Sequence, residues 1–185
     1  WYDKDSPGLG ALIREVADQK RIAIDTETTG LNVWKDVPLF WSASWGEKRV
    51  CLPADTLPLF REAFANKNTH WYFANAKYDM HILANYGIHI LGKLVDIQVM
   101  HSLLCDDEPH GLKYIAKEVL GWKWSDFKDT FKLGPGRTYQ DELMSAFHTD
   151  RTRLVEYAAN DAYGTMQAGN LLNKRLESTV TFGGY

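Results

Sequence analysis

The 185 residues carry a formal charge of −3 and an ordinary apolar share of 45%. That suits one globular domain with a real core and excludes a chain that grips nucleic acid by bulk positive potential. No apolar run approaches the roughly 18–20 residues needed to span a bilayer, and the start Trp1-Tyr2-Asp3-Lys4 shows no secretory leader. Two cysteines, Cys51 and Cys105, form no Cys-x-x-Cys pair, which argues against a zinc site or a disulfide scaffold and fits a reducing, cytoplasmic compartment.

Ser6-Pro7 ahead of Leu9, Leu12, Ile13 and Val16 predicts a first helix with the proline in its first turn. Residues 20–26 read as a buried strand. Apolar segments at 39–45 and 49–52 flank Gly46-Glu47-Lys48 and predict a hairpin. Residues 57–66 are amphipathic and read as helix. A strand at 70–74 leads into a helix at 78–86 that Gly87 closes, and 88–91 reads as a short strand. Asp96 starts a helix to about residue 105, and a helix at 112–120 ends at Gly121. Residues 133–138 read as a loop. Thr149-Asp150 caps a long helix to about residue 177, and 179–185 reads as a linker. The order of elements predicts an α/β domain over 1–185, a mixed β-sheet flanked by helices.

Four acids stand out. Asp25 and Glu27 lie two apart where the apolar run 21–25 meets a turn signal, so both carboxylates project from one face at a strand's end. Asp79 follows the apolar run 71–74. Asp161 lies one helical turn after Tyr157. Carboxylates brought together repel unless a cation sits among them. Hard oxygen donors in this number suit Mg²⁺ or Mn²⁺, and pairs of such ions drive phosphodiester hydrolysis.

The segments Asp25-Thr-Glu27-Thr-Thr-Gly-Leu31, Asn75-Ala-Lys-Tyr78-Asp79 and Tyr157-Ala-Ala-Asn-Asp161 resemble the three exonuclease motifs of the DEDD superfamily, Tyr subtype. Residues 75–88 are especially similar to the second motif in the proofreading domain of family A DNA polymerases. The resemblance runs from about residue 18 to 176. It implies an RNase H-like fold, two Mg²⁺ or Mn²⁺ ions per site and 3′→5′ removal of nucleotides from a single-stranded DNA end. It also implies a polymerase domain C-terminal to this chain, and the missing initiator Met fits a fragment of something longer. In this reading Asp25, Glu27 and Asp161 hold one ion, Asp25 and Asp79 hold the other, and Tyr157 with Glu27 orients the attacking water. Thr26, Leu31, Asn75 and Tyr78 match positions that contact the terminal nucleotides. Leu31 equally suits core packing, and Asn75 a helix cap. A free-standing exoribonuclease resembling ribonuclease D is the alternative substrate reading, and an inactive nucleic-acid-binding module is a third.

Other candidates look structural. Asp96 reads as a helix cap. His81, His101 and His110 show no ligand spacing. Lys113 and Lys117 lie one turn apart, a pattern that suits a solvated face better than phosphate contacts. Gly134-Pro-Gly136-Arg137 lacks the Lys-Ser/Thr of a phosphate loop and reads as a flap.

Overall fold

The computed structural model describes residues 1–123, 130–131 and 134–182. Its architecture follows from strand β1 (Arg21–Thr28), whose side chains alternate between two packed layers rather than between core and water. Ile22 and Ile24 enter one apolar cluster, whereas Ala23 enters another on the opposite face. On one side β1 pairs antiparallel with β2 (Pro38–Trp45), which turns at Gly46, φ +56°, into β3 (Lys48–Pro53). On the other side it pairs in parallel with β4 (His70–Phe73), and β4 in parallel with β5 (Lys93–Asp96). The five strands stand in the order β3-β2-β1-β4-β5. A mixed sheet between two helical layers is the RNase H-like arrangement that the sequence predicts.

The first layer comprises α1 (Leu9–Ala17), a 3₁₀ turn (Ala54–Phe60), α2 (Arg61–Phe64) and α3 (Ala76–Asn85). Its centre is aromatic. Trp41 meets Phe60 edge-on at 4.9 Å between ring centroids, and Phe64 lies against Trp71 at 5.0 Å. The second layer comprises α4 (Ile97–Ser102), α5 (Leu112–Leu120), α6 (Tyr139–Thr149) and α7 (Arg151–Phe182). Small residues let α7 lie close on the sheet. Ala158 and Ala162 are fully buried, and Ser42 Oγ donates to the Ala158 carbonyl at 2.9 Å. At Gly169 a β-carbon would stand 2.4 Å from the Tyr72 ring, so only hydrogen fits there.

Several expectations shift. The strand placed at 88–91 forms instead at Lys93–Asp96. Ile88 and Ile90 are buried, but as core plugs without ladder partners. Gly92 passes so close to Thr69 that a β-carbon would lie 2.2 Å from its carbonyl, and parallel pairing starts only beyond that pinch, at Lys93. The helix predicted at 57–66 divides into the 3₁₀ turn, which contains Pro58, and one turn of α-helix. Helix α1 starts at Leu9 behind Gly8, φ +91°, leaving Pro7 outside its first turn. Helix α6 was not anticipated, although Thr138 and Asp141 form a reciprocal capping box at its start. Helix α7 runs on to Phe182 where a linker was expected; residues 183–185 lie outside the described residues, as does Leu133 of the predicted loop. Among the described residues no helix is long and apolar enough to cross a membrane.

Candidate active site

The C-terminal end of β1 carries the site. Asp25 and Glu27 share the face of the sheet that α7 covers, the same face as Ala23 and Ser42. The antiparallel register slips between Glu27 and Thr28, so the bulge ends the regular ladder where the carboxylates emerge. Helix α7 brings Asp161 down onto them. Carboxylate oxygens of Asp25, Glu27 and Asp161 lie within 4.8 Å of one another. Because β4 runs parallel to β1, the helix that follows it starts at the same end of the sheet. That helix, α3, delivers Asp79 to the same cavity of about 230 Å³, which Leu31, Asn75, Tyr78 and Tyr139 also line.

Asp79 is held differently from the other three. Its Oδ1 accepts from the Thr26 amide at 3.0 Å and from the Thr26 hydroxyl at 2.7 Å. Thr26, expected at the substrate, therefore directs its polar groups at a neighbouring acid. The hydroxyl of Tyr78 donates to the Gly30 carbonyl at 2.7 Å, as does Thr28 Oγ1, and the two hydroxyls also touch each other. This ties the loop after β1 to α3. Leu31 lies on that loop and is 77% exposed at the rim, so core packing is not its role. Asn75 occupies the N-cap position of α3 in the left-handed conformation, φ 77°, but its side chain makes no cap. Asp96 caps instead, accepting from the amides of Ala76 at 2.8 Å and Asn75 at 3.3 Å while also capping α4 through Gln98. Asn75 itself is exposed and lines the cavity.

Burial and mutual repulsion dominate the electrostatics. Desolvation first, then the charges of Glu27, Asp79 and Asp161, hold the Asp25 carboxyl well above the usual carboxylate range. Desolvation and Asp161 push Glu27 up to about 7, against the pull of a hydrogen bond from Tyr139. Desolvation pushes Asp79 to about 7 despite its two bonds from Thr26. A cluster in this state is short of positive charge, and its donors are all hard oxygens. The residues therefore fit one or more divalent cations.

Two residues that the sequence did not single out for this site belong to it. Lys113, read as a solvated lysine, reaches from α5 to pair with Asp161 and sits 4.6 Å from the centre of the Tyr157 ring. Lys117, one turn on, stays in solvent. Tyr139, in the first turn of α6, donates to Glu27 Oε2 at 3.1 Å. Burial and the Glu27 charge drive its own phenol pKa far upward, so it remains a donor. Tyr157, expected beside Glu27, lies against Phe131 at 6.0 Å and lines a neighbouring cavity of about 710 Å³ with Arg49, Trp122, Arg153 and Tyr163. No periodicity marks Tyr139; its only sequence signal is the capping threonine before it.

The fold has solved counterparts. NrnC from Brucella melitensis superposes with a TM-score of 0.69 at 21% identity, over 96% of this chain and 81% of that one. RNase D from Escherichia coli gives 0.71 at 17% identity, over 96% of this chain and 45% of the other. The catalytic core of RRP6 from Trypanosoma brucei gives 0.71 at 18%, over 96% and 47%. At these identities the likeness establishes the fold. None of the curated protein sequences compared matches the chain significantly. A family model described as 3′-5′ exonuclease matches residues 3–177, nearly the whole length and a span that includes all four acids. The chain belongs to the 3′-5′ exonuclease family.

Proposed function

We propose that the chain removes nucleotides one at a time from the 3′ end of a single strand, releasing nucleoside 5′-monophosphates. Asp25, Glu27 and Asp161 would hold one Mg²⁺ or Mn²⁺, and Asp25 with Asp79 a second. Such ions, when bound, supply an activated water and charge neutralisation at phosphorus. The observation that carries this reading is the meeting of three carboxylates from β1 and α7, Glu27 buried and Asp25 and Asp161 half-buried, in one cavity.

The chain's own residues then divide the work. Tyr139 fixes the Glu27 carboxylate by its hydrogen bond and keeps it aimed into the cavity. Tyr157, one turn before Asp161, would orient the water with Glu27 once bound metal and substrate draw its hydroxyl in from the neighbouring cavity; a phenol with an ordinary pKa near 10 is a poor base at neutral pH. Exposed Leu31 wedges against the terminal base, while Asn75 and Tyr78 meet the last nucleotides. Contacts of this kind tolerate any base, which suits removal of whatever nucleotide is mispaired. Our first reading of the substrate is single-stranded DNA, with the chain proofreading for a covalently linked polymerase domain C-terminal to it. The resemblance of residues 75–88 to family A polymerases supports it.

An RNA substrate is the second reading. The likeness to E. coli RNase D, described as an exoribonuclease involved in structured RNA processing, favours it. Matched 5′-labelled DNA and RNA oligonucleotides separate the two, because only the 2′-hydroxyl differs. Faster shortening of DNA from the 3′ end supports proofreading. A preference for RNA replaces it with the ribonuclease reading, and no 3′ shortening of either removes both.

A further inference from the structure

A second cluster of metal-ligating side chains lies outside the acidic site, on the connection from α4 to α5. A nitrogen of His101, the sulfur of Cys105 and a carboxylate oxygen of Glu108 lie within 4.8 Å of one another. His101 comes from the last turn of α4, Cys105 from the turn just after it, and Glu108 from the loop. We propose that these three residues form a Zn²⁺ site that clips this connection together.

The donor chemistry separates this cluster from the active site. One imidazole, one thiol and one carboxylate make a borderline-soft set that suits zinc, whereas the four acids offer only hard oxygens. Three protein ligands leave the fourth tetrahedral position for water. Ligand atoms around a tetrahedral zinc stand roughly 3.3–3.7 Å apart, and His101 Nε2 lies 3.7 Å from Glu108 Oε2. That separation is beyond hydrogen-bond reach but right for two atoms sharing an ion.

The imidazole of His101 is set up for the task from its other side. Its Nδ1 lies 2.8 Å from Nδ1 of His110, so one ring donates and the other accepts. With the proton on His101 Nδ1, its Nε2 turns a lone pair toward the Glu108 carboxylate. Two electron-rich atoms then face each other, one on the buried His101 ring, which is 3% exposed, and one on the part-exposed Glu108 carboxylate. A cation between them resolves that opposition. His110 thus plays the part of the outer partner that fixes the tautomer and ring plane of a ligating histidine. On binding, Cys105 releases its thiol proton to solvent, and thiolate and carboxylate together balance the two charges of the ion.

The clip would fix the span that ends at Gly111, where α5 starts, two residues before Lys113. Spacing alone did not reveal it, because the ligands straddle a helix end and a loop.

Co²⁺ is the probe that tests the site. The reduced, metal-free chain is titrated with Co²⁺ in saturating Mg²⁺, which occupies the oxygen-only site. The expected result is a thiolate-to-cobalt charge-transfer band that saturates at one ion per chain and is bleached by Zn²⁺. Cys105→Ser abolishes the band and Cys51→Ser leaves it. Glu108→Gln, at a part-exposed residue, weakens Co²⁺ at least tenfold with an unchanged circular dichroism spectrum, and His110→Ala weakens it about 10–100-fold. No thiolate band in the starting protein overturns the proposal, and so does a band that survives Cys105→Ser.

Discussion

Replacing Glu27 by glutamine isolates the electrostatic cost of assembling the acids. Glu27 is buried, and desolvation together with Asp161 raises its pKa from 4.5 to about 7 in the folded chain. An acid whose folded pKa is raised binds more protons in the native state than in the unfolded one. Stability of the metal-free protein therefore falls as pH rises from about 4.5 to about 7, and the full cost is present above 7. A rise of that size corresponds to about 3 kcal/mol. Glutamine never charges, and its amide oxygen still accepts the hydrogen bond from Tyr139. In EDTA at pH 8, Glu27→Gln should be more stable by about 3 kcal/mol, or about 6–12 °C in Tm for a domain of this size. At pH 4.5 the gain should nearly vanish. Saturating Mg²⁺ should narrow the gap at pH 8 by stabilising the native wild type. Thermal melts at both pH values check this. Equal Tm values in EDTA at pH 8, or a gain that does not shrink at pH 4.5, refute the reasoning.

Lys113→Met removes the ammonium that pairs with Asp161. The variant should melt lower than the wild type in EDTA, and Mg²⁺ should stabilise it from lower concentrations, as read by thermal titration. Tyr139→Phe deletes the hydrogen bond to Glu27 and should slow hydrolysis about 10–100-fold, the value of a bond to a charged group, with the fold intact by circular dichroism. Gly169→Ala forces a β-carbon to 2.4 Å from the Tyr72 ring and should lower stability in urea by about 1–3 kcal/mol. Gly10→Ala, inside α1, where a β-carbon meets only the Arg14 side chain at 3.8 Å, serves as its control.

Much of the site was legible because strand and helix periods are local. The two-residue spacing of Asp25 and Glu27 places them on one face of β1 whatever the tertiary structure, and the capping of α4 by Asp96 follows from its position at a strand end. The less legible parts depend on contacts distant in sequence. Ile88 and Ile90 have the composition of a strand, yet the close pass of Gly92 over Thr69 decides where pairing starts. Lys113 has a surface pattern on its own helix, and only the packing of α5 on α7 turns it toward Asp161. Tyr139 reaches Glu27 across 112 residues of chain, a distance no periodicity encodes. The cluster around His101 escaped because a helix end and a loop share no repeat. Asn75, whose residue type suits either a cap or a nucleotide contact, makes no cap because Asp96 already supplies one.

Mass analysis of products from a 5′-labelled single strand, comparing the wild type with Asp25→Ala/Asp161→Ala, tests the joint action of these carboxylates most directly. With Mg²⁺ the wild type should release nucleoside 5′-monophosphates stepwise from the 3′ end, EDTA should stop it, and the folded double variant should lose the reaction by orders of magnitude. A double variant that degrades the strand at a near-normal rate would contradict the account, as would a wild type that cuts internally instead.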